Sequence, residues 1–192
     1  MDHHYSFYGA YAAYWAILAR LHEDGWALPV LEEEDLEFRT LPNPYIGSRG
    51  RKLYNLWEGA EQPVIGLQKS PVPFERLDNG EPSENPLFIT YEEAWRPTTY
   101  NLYMGGDFGE TILKTKRPEL PRALIVGDSF TNALETLLYT AFDECRSLDL
   151  RHYKEQSLKD YIEAYRPDIV LVISYDTFYY TTSGNGAVWT DD

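Results

Sequence analysis

The stretch Arg122-Ala-Leu-Ile-Val-Gly-Asp-Ser-Phe-Thr-Asn132 decides the fold prediction for this chain. The four consecutive apolar residues 123–126 are typical of a strand that is buried on both faces. Gly127 permits a tight turn, and from Thr131 to about residue 143 apolar residues recur at helical spacing. A strand that runs through a sharp turn into a helix places that turn at the carboxyl edge of a sheet. Open α/β sheets bind their ligands at this edge.

Ser129 lies in the predicted turn and is our candidate nucleophile. The N–H groups at the start of the following helix would stabilise an oxyanion next to it. A structural interpretation stands beside the catalytic one, because Asp and Ser are also common capping residues before helices. In particular, we expect Asp128 to cap this helix.

The flanking sequence predicts an α/β fold. An amphipathic helix covers residues 8–22, with Ser6 as its N-cap and Gly25 as its C-terminal cap. We expect this helix and the one at 131–143 to cover one sheet. After it the pattern predicts, in order, a strand at Ser147–Leu150, a helix at Ser157–Tyr165 and a second fully buried strand at Asp168–Ile173. Strands that alternate with helices favour parallel pairing.

Residues 25–121 are rich in Pro and Gly and predict an irregular antiparallel insertion over the edge of the sheet. Asp78-Asn79-Gly80 is a strong turn signal within it. Four short segments have strand character: Glu37–Leu41, Lys52–Leu56, Val64–Leu67 and Leu87–Tyr91.

The composition is that of one folded domain of 192 residues with 43% hydrophobic content. A formal net charge of −14 argues against nucleic acid and anionic membrane as partners. The single cysteine, Cys145, excludes an internal disulfide and is interpreted as a buried structural thiol on the helix after Ser129. The chain shows neither a signal sequence nor a long apolar run, and we expect it to be a fragment that lacks native N-terminal residues.

The second motif is Asp2-His3-His4. In an extended chain residues i and i+2 point the same way, so Asp2 and His4 would project together. A histidine near a serine hydroxyl acts as general base, and a carboxylate fixes its tautomer. A frayed terminus with solvated histidines is a second interpretation of these residues, and a divalent metal site is a third.

Taken together, the motifs resemble the bacterial DHHW proteins of the SGNH-hydrolase-like group, which are related to the alginate O-acetylation proteins. The resemblance covers nearly the whole chain, with Tyr5 where the family has Trp. It rests on Asp2-His3-His4-Tyr5, Gly9-Ala-Tyr-Ala-Ala-Tyr14, Tyr103-Met-Gly-Gly-Asp107, Gly127-Asp-Ser-Phe-Thr-Asn-Ala133 and Asp149-Leu-Arg-His-Tyr153, in that order.

The resemblance implies a flavodoxin-like, three-layer α/β/α fold with a parallel sheet, formed by residues 1–192 as a single domain. It also implies a triad of Ser129 as nucleophile, His4 as base and Asp2 as its orienter. The backbone N–H of Ser129 is the first oxyanion donor that it suggests. The further candidates are the backbone N–H of Gly105 or Gly106 and the side chains of Asn132 and Arg151.

The function that the resemblance implies is that of an extracytoplasmic, serine-dependent acyl-ester enzyme of bacteria. Its partner would be an acetylated carbohydrate or an acetyl donor, and it would act as an O-acetyltransferase or acetylesterase on cell-envelope polysaccharide. Acyl transfer through serine needs no metal or organic cofactor. Membrane attachment is expected only through a missing N-terminal segment. The alternative is a non-catalytic, cell-surface carbohydrate-binding domain of the same fold.

Overall fold

The chain divides into two compact units in the computed structural model, which describes residues 2–54, 56 and 61–189. The first unit comprises Met1–Val72 and Asn85–Gly106, and the second comprises Pro73–Glu84 and Asp107–Asp192. The single-domain organisation stays a prediction.

The first unit is built around helix α1 (Phe7–Glu23) and an antiparallel pair of strands. Strand β1 (Leu36–Thr40) pairs with β2 (Val64–Gln68), so two of the four predicted segments are strands. Helix α1 packs on β2, where a Cβ atom on Gly66 would lie 2.2 Å from the ring of Phe7. Helix α1 therefore packs on the sheet of its own unit, and the expectation that it covers one sheet together with the helix at 131–143 stays a prediction.

The ends of α1 agree with the sequence. Ser6 occupies the N-cap position, although its side chain makes no capping hydrogen bond. At the other end Gly25 has φ +96°, the N–H of Gly25 donates to His22 O, and the N–H of Trp26 donates to Leu21 O. These two bonds form a Schellman motif, which satisfies carbonyls of the last helical turn.

The remaining predicted strands of the first unit are wrong. Lys52 ends a short helix, α2 (Ser48–Lys52), because the backbone bonds locally, with Leu53 N donating to Arg49 O; Asn55 lies outside the described residues. Residues 87–91 make only an isolated bridge, Phe88 with Tyr103, too little for a ladder.

The second unit contains a six-stranded sheet of mixed direction. Its strands are β3 (Glu75–Asp78), β4 (Glu81–Pro82), β5 (Glu110–Lys114), β6 (Ala123–Gly127), β7 (Glu144–Leu148) and β8 (Ile169–Ile173), in the spatial order β4-β3-β5-β7-β6-β8. Strands β7, β6 and β8 are parallel, whereas β4, β3 and β5 add antiparallel neighbours. The α/β class is confirmed, but the sheet is not purely parallel, because strands of the predicted insertion pair directly with it.

The turn between β3 and β4 confirms the signal at residues 78–80. Asn79 and Gly80 have φ values of +50° and +82°. Positive φ at both central residues is the geometry of the tight turn that matches the twist of a hairpin.

Strand β6 is central to the parallel part and is fully buried, as predicted. Helix α3 (Thr131–Leu138) follows it, and α4 (Leu158–Tyr165) precedes β8. Tyr161 and Tyr165 of α4 pack in a core cluster with Leu124, Val126 and Leu148. The adjacent Ser147, whose side chain points to the opposite face, donates to Glu135 of α3. The two helices therefore contact opposite faces of these strands.

Two strands of the second unit differ from their predictions. β7 begins at Glu144, three residues before the predicted start. The sequence did not indicate this start because the polar residues of the strand interrupt the apolar pattern. Arg146 pairs with Glu144 and lies 3.9 Å from the ring centre of Tyr165, which keeps its side chain within the fold. Cys145 is therefore buried in a strand, not on a helix. β8 is not fully buried, since it forms the edge of the sheet and Val170 is exposed.

Helix α4 starts as predicted, with the Ser157 hydroxyl accepting from Asp160 N. Among the helices of the described residues, none is sufficiently long and apolar to span a bilayer.

Candidate functional site

In the first unit the predicted base and its orienter are paired. Nδ1 of His4 lies 2.6 Å from Oδ1 of Asp2, and each side chain is only 7% exposed. In this arrangement the carboxylate accepts the Nδ1 proton, so the other ring nitrogen, Nε2, is left as the proton acceptor. The pair therefore has the geometry of the orienter and base of a catalytic triad.

The pair forms in a bend at His3 and His4. The extended chain in which we expected Asp2 and His4 to project together is therefore wrong, although the two side chains do meet. Oδ1 of Asp2 accepts the backbone N–H groups of His3 at 2.7 Å and of His4 at 3.1 Å. The aspartate thus closes a local turn on itself, and this turn brings the imidazole to the carboxylate.

Residues from the irregular stretch hold the other oxygen of Asp2. Oδ2 accepts from the Tyr45 hydroxyl at 3.1 Å and from Ser48 N at 2.8 Å. Burial alone would raise the pKa of the Asp2 carboxyl, but hydrogen bonds from the His4 side chain and from backbone N–H groups outweigh it. The pKa therefore falls well below the usual range, and the carboxylate stays ionised.

The His4 ring lies between two other rings. It stacks on Tyr100 at a centroid distance of 3.7 Å and an angle of 8°, and His3 lies 3.8 Å away on a tilted plane. Burial, followed by repulsion from His4, lowers the pKa of His3. His3 Nδ1 is 2.6 Å from the Ser48 hydroxyl. The parallel stacking on Tyr100 holds the plane of the His4 imidazole.

A cavity of about 310 Å³ adjoins the pair within the same unit. Its walls include Asp2 and His4, the rings of Tyr45, Tyr100 and Tyr103, and the carboxylate-bearing Glu61. Burial raises the pKa values of Tyr45 and Tyr103, so both hydroxyls remain protonated donors.

Ser129 lies in the second unit, in the turn between β6 and α3. Asp128 shapes this turn: its Oδ1 accepts from Phe130 N at 2.9 Å, and its main-chain oxygen accepts from Thr131 N. The carboxylate therefore closes the turn that precedes α3. The prediction that Asp128 caps the helix is wrong, because Phe130 occupies the N-cap position and no side chain makes a capping hydrogen bond there. Its Oδ2 also accepts from Tyr175 N, which follows β8.

Several polar residues of the second unit follow the carboxyl ends of its parallel strands. Ser129 follows β6, Asp149 and Arg151 follow β7, and Tyr175 follows β8. β6 lies between β7, its successor in the chain, and β8, so the connections diverge at its carboxyl end. Such a switch point is where open α/β sheets place their ligand crevice.

The two side chains at this edge that we predicted as oxyanion donors, Asn132 and Arg151, bind acidic side chains. Asn132 Nδ2 donates to Asp107 at 2.9 Å, and Arg151 pairs with Asp149 and Asp107. The hydrogen bond that Arg151 donates to the Asp149 carboxylate raises the pKa of Arg151, and burial opposes this shift. Both side chains therefore have the structural contacts expected of a salt-bridged network, and their role as oxyanion donors stays a prediction.

The two glycine candidates form a turn. Gly105 and Gly106 have φ values of +84° and +114°, and Gly106 N donates to Tyr103 O. They belong to the first unit, with Asp2 and His4, whereas Ser129 belongs to the second. Completion of the triad by Ser129 and the oxyanion role of Gly105 or Gly106 stay predictions.

Among the residues that the structure describes, two groups of side chains have potential metal ligands within 4.8 Å of one another: Asp2, His3 and His4, and Asp107, Asp149 and His152. In the first group the 2.6 Å separation of Oδ1 and Nδ1 is a hydrogen-bond distance. Two ligands at zinc distances and tetrahedral angles lie about 3.3 Å apart. In the second group Arg151 already occupies the acids. Neither arrangement fits an ion as it stands.

Sequence reasoning missed Tyr45 and Ser48. They lie 43 and 46 residues from Asp2 in an irregular segment, and no local pattern connects them to it. It also missed Asp107, the last residue of the motif at 103–107, and Asp149, the first residue of the motif at 149–153.

Comparison with known proteins shows the fold. The chain matches neither a protein-family model nor a curated protein sequence. Among solved structures it is similar to Bacillus cereus PatB1 carrying a sulfonyl adduct, with a TM-score of 0.76 and 22% identity over 92% of this chain and 59% of that one. A second PatB1 structure gives 0.72 at 22% identity, covering 92% and 61%. A DHHW family protein from Eubacterium siraeum gives 0.71 at 19%, covering 90% and 57%.

The class that the fold defines is therefore a mixed α/β protein with the architecture of PatB1 and of this DHHW protein. The chain spans about three fifths of the length of these neighbours.

Proposed function

We propose that this chain is a serine-dependent acyl-ester enzyme of the DHHW group, with the three-layer SGNH arrangement. The observation that carries the proposal is the 2.6 Å hydrogen bond between His4 Nδ1 and Asp2 Oδ1. A buried, ionised aspartate that holds a histidine in one tautomer is the arrangement a serine nucleophile requires. Ser129, at the carboxyl edge of β6, supplies the nucleophile.

The proposed reaction proceeds in two acyl transfers. His4 Nε2 removes the proton from Ser129 Oγ as this oxygen attacks the ester carbonyl. The ester C–O bond breaks, the leaving alcohol takes the proton from His4, and an acyl-serine remains. Water or a sugar hydroxyl then attacks the acyl group while His4 takes its proton. The bond between the acyl carbon and Ser129 Oγ breaks, and His4 returns the proton to Oγ, which regenerates the serine. Asp2 stays ionised throughout and stabilises the imidazolium.

The similarity to PatB1 supports the nucleophile. A sulfonyl adduct forms when a nucleophilic side chain displaces a leaving group from sulfur, so the PatB1 structure indicates such a side chain in that protein. The likeness to this chain is one of fold, and we extend it to Ser129 because a strand–turn–helix holds this residue at a ligand-binding edge.

The proposed substrate is an acetylated carbohydrate or an acetyl donor, and the proposed location is outside the cytoplasm, at the bacterial cell envelope. The cavity beside His4 supports a carbohydrate, because aromatic faces with hydroxyl and carboxylate groups suit a sugar ring. Whether water or sugar receives the acyl group decides between acetylesterase and O-acetyltransferase.

A non-catalytic carbohydrate-binding domain is the second candidate function. The same cavity, with Tyr45, Tyr100 and Tyr103 in its wall, favours it. This alternative gives the Asp2–His4 hydrogen bond no role, which is why we place it second.

The test is acetate release from an activated acetyl ester and from acetylated polysaccharide. We expect Ser129→Ala and His4→Gln to lose roughly 10³-fold or more of kcat, as triad members do. His3→Gln is the matched control on the adjacent residue and should retain most activity. An active Ser129→Ala protein would refute the assignment of the nucleophile. An inactive but folded wild type that binds polysaccharide would favour the binding domain over the enzyme.

A further inference from the structure

The carboxylate of Asp2 is held by donors from two distant parts of the chain. One set is local: the N–H groups of His3 and His4, together with His4 Nδ1, all donate to Oδ1. The other set is remote: the Tyr45 hydroxyl and Ser48 N donate to Oδ2 at 3.1 and 2.8 Å. The Ser48 hydroxyl also lies 3.4 Å from Oδ1, so the remote donors alone hold Oδ2, whereas Oδ1 is held mainly by the local ones.

The remote donors add an orientation that the local ones do not supply. The terminal torsion of an aspartate is broad, so a carboxylate held through one oxygen can still rotate about its Cβ–Cγ bond. Two donors on Oδ2 fix the plane of the group and keep Oδ1 facing His4. Hydrogen bonds to an ionised group are strong ones.

We propose that Tyr45 and Ser48 are positioning residues that orient Asp2, and through it the imidazole of His4, for proton transfer. This inference rests on the proposed function. It assigns to the irregular segment a role in the catalytic geometry, in addition to shaping access to the site.

The segment around Tyr45 is secured without the bond to Asp2. Tyr45 N donates to Glu61 O at 3.1 Å, Ile46 N donates to Thr98 O at 2.8 Å, and Thr98 N donates to Pro44 O at 2.9 Å. Removal of the Tyr45 hydroxyl leaves these backbone bonds in place. Tyr45→Phe therefore tests the hydroxyl and not the fold.

Ser48 offers two groups that can be tested separately. Its N–H donates to Asp2, whereas its hydroxyl lies 2.6 Å from His3 Nδ1 and 3.4 Å from Asp2 Oδ1. Ser48→Pro removes both groups, and Ser48→Ala removes only the hydroxyl. The backbone accepts proline here because Ser48 is the first residue of α2 and Gly47, with φ −71° and ψ 161°, has the conformation that proline requires of its predecessor. The Cδ atom of the proline would take the place of the N–H and push Oδ2 away, so Ser48→Pro separates the carboxylate from this segment.

The first measurement is the NMR signal of the His4 Nδ1 proton in protein labelled with ¹⁵N-histidine. In the wild type we expect a downfield proton that exchanges slowly. In Tyr45→Phe and Ser48→Pro it should move upfield and exchange faster, while Ser48→Ala should resemble the wild type. An unchanged signal in Tyr45→Phe would overturn the proposal, whatever Ser48→Pro shows, because proline also displaces Oδ2.

The second measurement is a double-mutant cycle on ester hydrolysis. We expect Tyr45→Phe to lower kcat about tenfold with KM changed less than about twofold, the loss typical of one hydrogen bond to a charged group. In the Asp2→Ala background the same substitution should have no further effect, because Tyr45 acts through Asp2. An equal loss in both backgrounds would make Tyr45 merely structural and would refute the inference.

The two measurements separate this inference from the proposed function. If the wild type is inactive on every ester but its Nδ1 signal depends on Tyr45 and Ser48 N–H, the positioning role stands and the enzyme assignment falls. If the wild type is active and the signal is independent of both residues, the enzyme assignment stands and the positioning role falls.

Discussion

Gly127 is the residue whose replacement tests the turn at Ser129 most severely. It ends β6, two residues before Ser129, beside Ile173 of the parallel neighbour β8. A Cβ atom at this position would lie 2.2 Å from Thr131 Cγ2 and 2.3 Å from Ile173 O. The second of these neighbours is backbone within a strand. The Gly127→Ala variant therefore has to displace the turn or part β6 from β8.

The loss in free energy of unfolding caused by Gly127→Ala depends on how little the neighbouring atoms can move. Overpacking a filled interior typically costs about 1–3 kcal/mol, and we expect at least about 3 kcal/mol because a strand carbonyl yields less easily than a side-chain end. For a chain of this size that corresponds to roughly 6–12 °C in Tm. Gly80→Ala is the matched control: φ is +82° and no atom lies within 4 Å, so only backbone strain of about 1–2 kcal/mol applies.

The assay is thermal unfolding followed by circular dichroism, together with urea titration for both variants. We expect the loss in Tm for Gly127→Ala to exceed that for Gly80→Ala by at least a few degrees. If Gly127→Ala unfolded within 1 °C of the wild type, the close approach of β6, β8 and α3 would be wrong.

Two further predictions concern buried groups of the second unit. Burial raises the pKa of Glu135 above its ordinary value of 4.5, despite hydrogen bonds from Ser147 and Thr131; the folded protein then holds this proton more tightly, so wild-type stability should decrease as pH rises above about 4.5. In urea titrations from pH 4 to 8, the unfolding midpoint of Glu135→Gln should increase relative to that of the wild type as pH rises. A difference in midpoint that does not depend on pH would contradict this prediction. Burial also raises the pKa of the Cys145 thiol, so thiol reagents should modify it only on unfolding; rapid labelling of native protein would show that β7 is more open than the structure has it.

The sequence predicted the elements whose signals are local. The buried run 123–126, the turn at 78–80 and the caps Gly25 and Ser157 each depend on residues within a few positions, and each is found where expected. The chemistry of the Asp2–His4 pair was predictable for the same reason, since the two residues are separated by one position.

Elements that depend on distant partners were mistaken or missed. β7 contains three polar residues among five, and only its neighbours, such as the ring of Tyr165 near Arg146, make that composition suit a strand. Whether Asp168–Ile173 is central or at an edge depends on strand order, which no local pattern encodes. Likewise, the contacts of Tyr45 and Ser48 with Asp2 arise from tertiary structure alone.

The joint action of Ser129 and His4 is the central claim, and covalent labelling tests it most directly. Native protein is treated with a sulfonyl fluoride, and the modified peptide is mapped by mass spectrometry. We predict one adduct, on Ser129, that is lost in Ser129→Ala and strongly slowed in His4→Gln but retained in His3→Gln. Labelling that is absent from folded wild type, or that proceeds on Ser129 at the same rate without His4, would contradict the account.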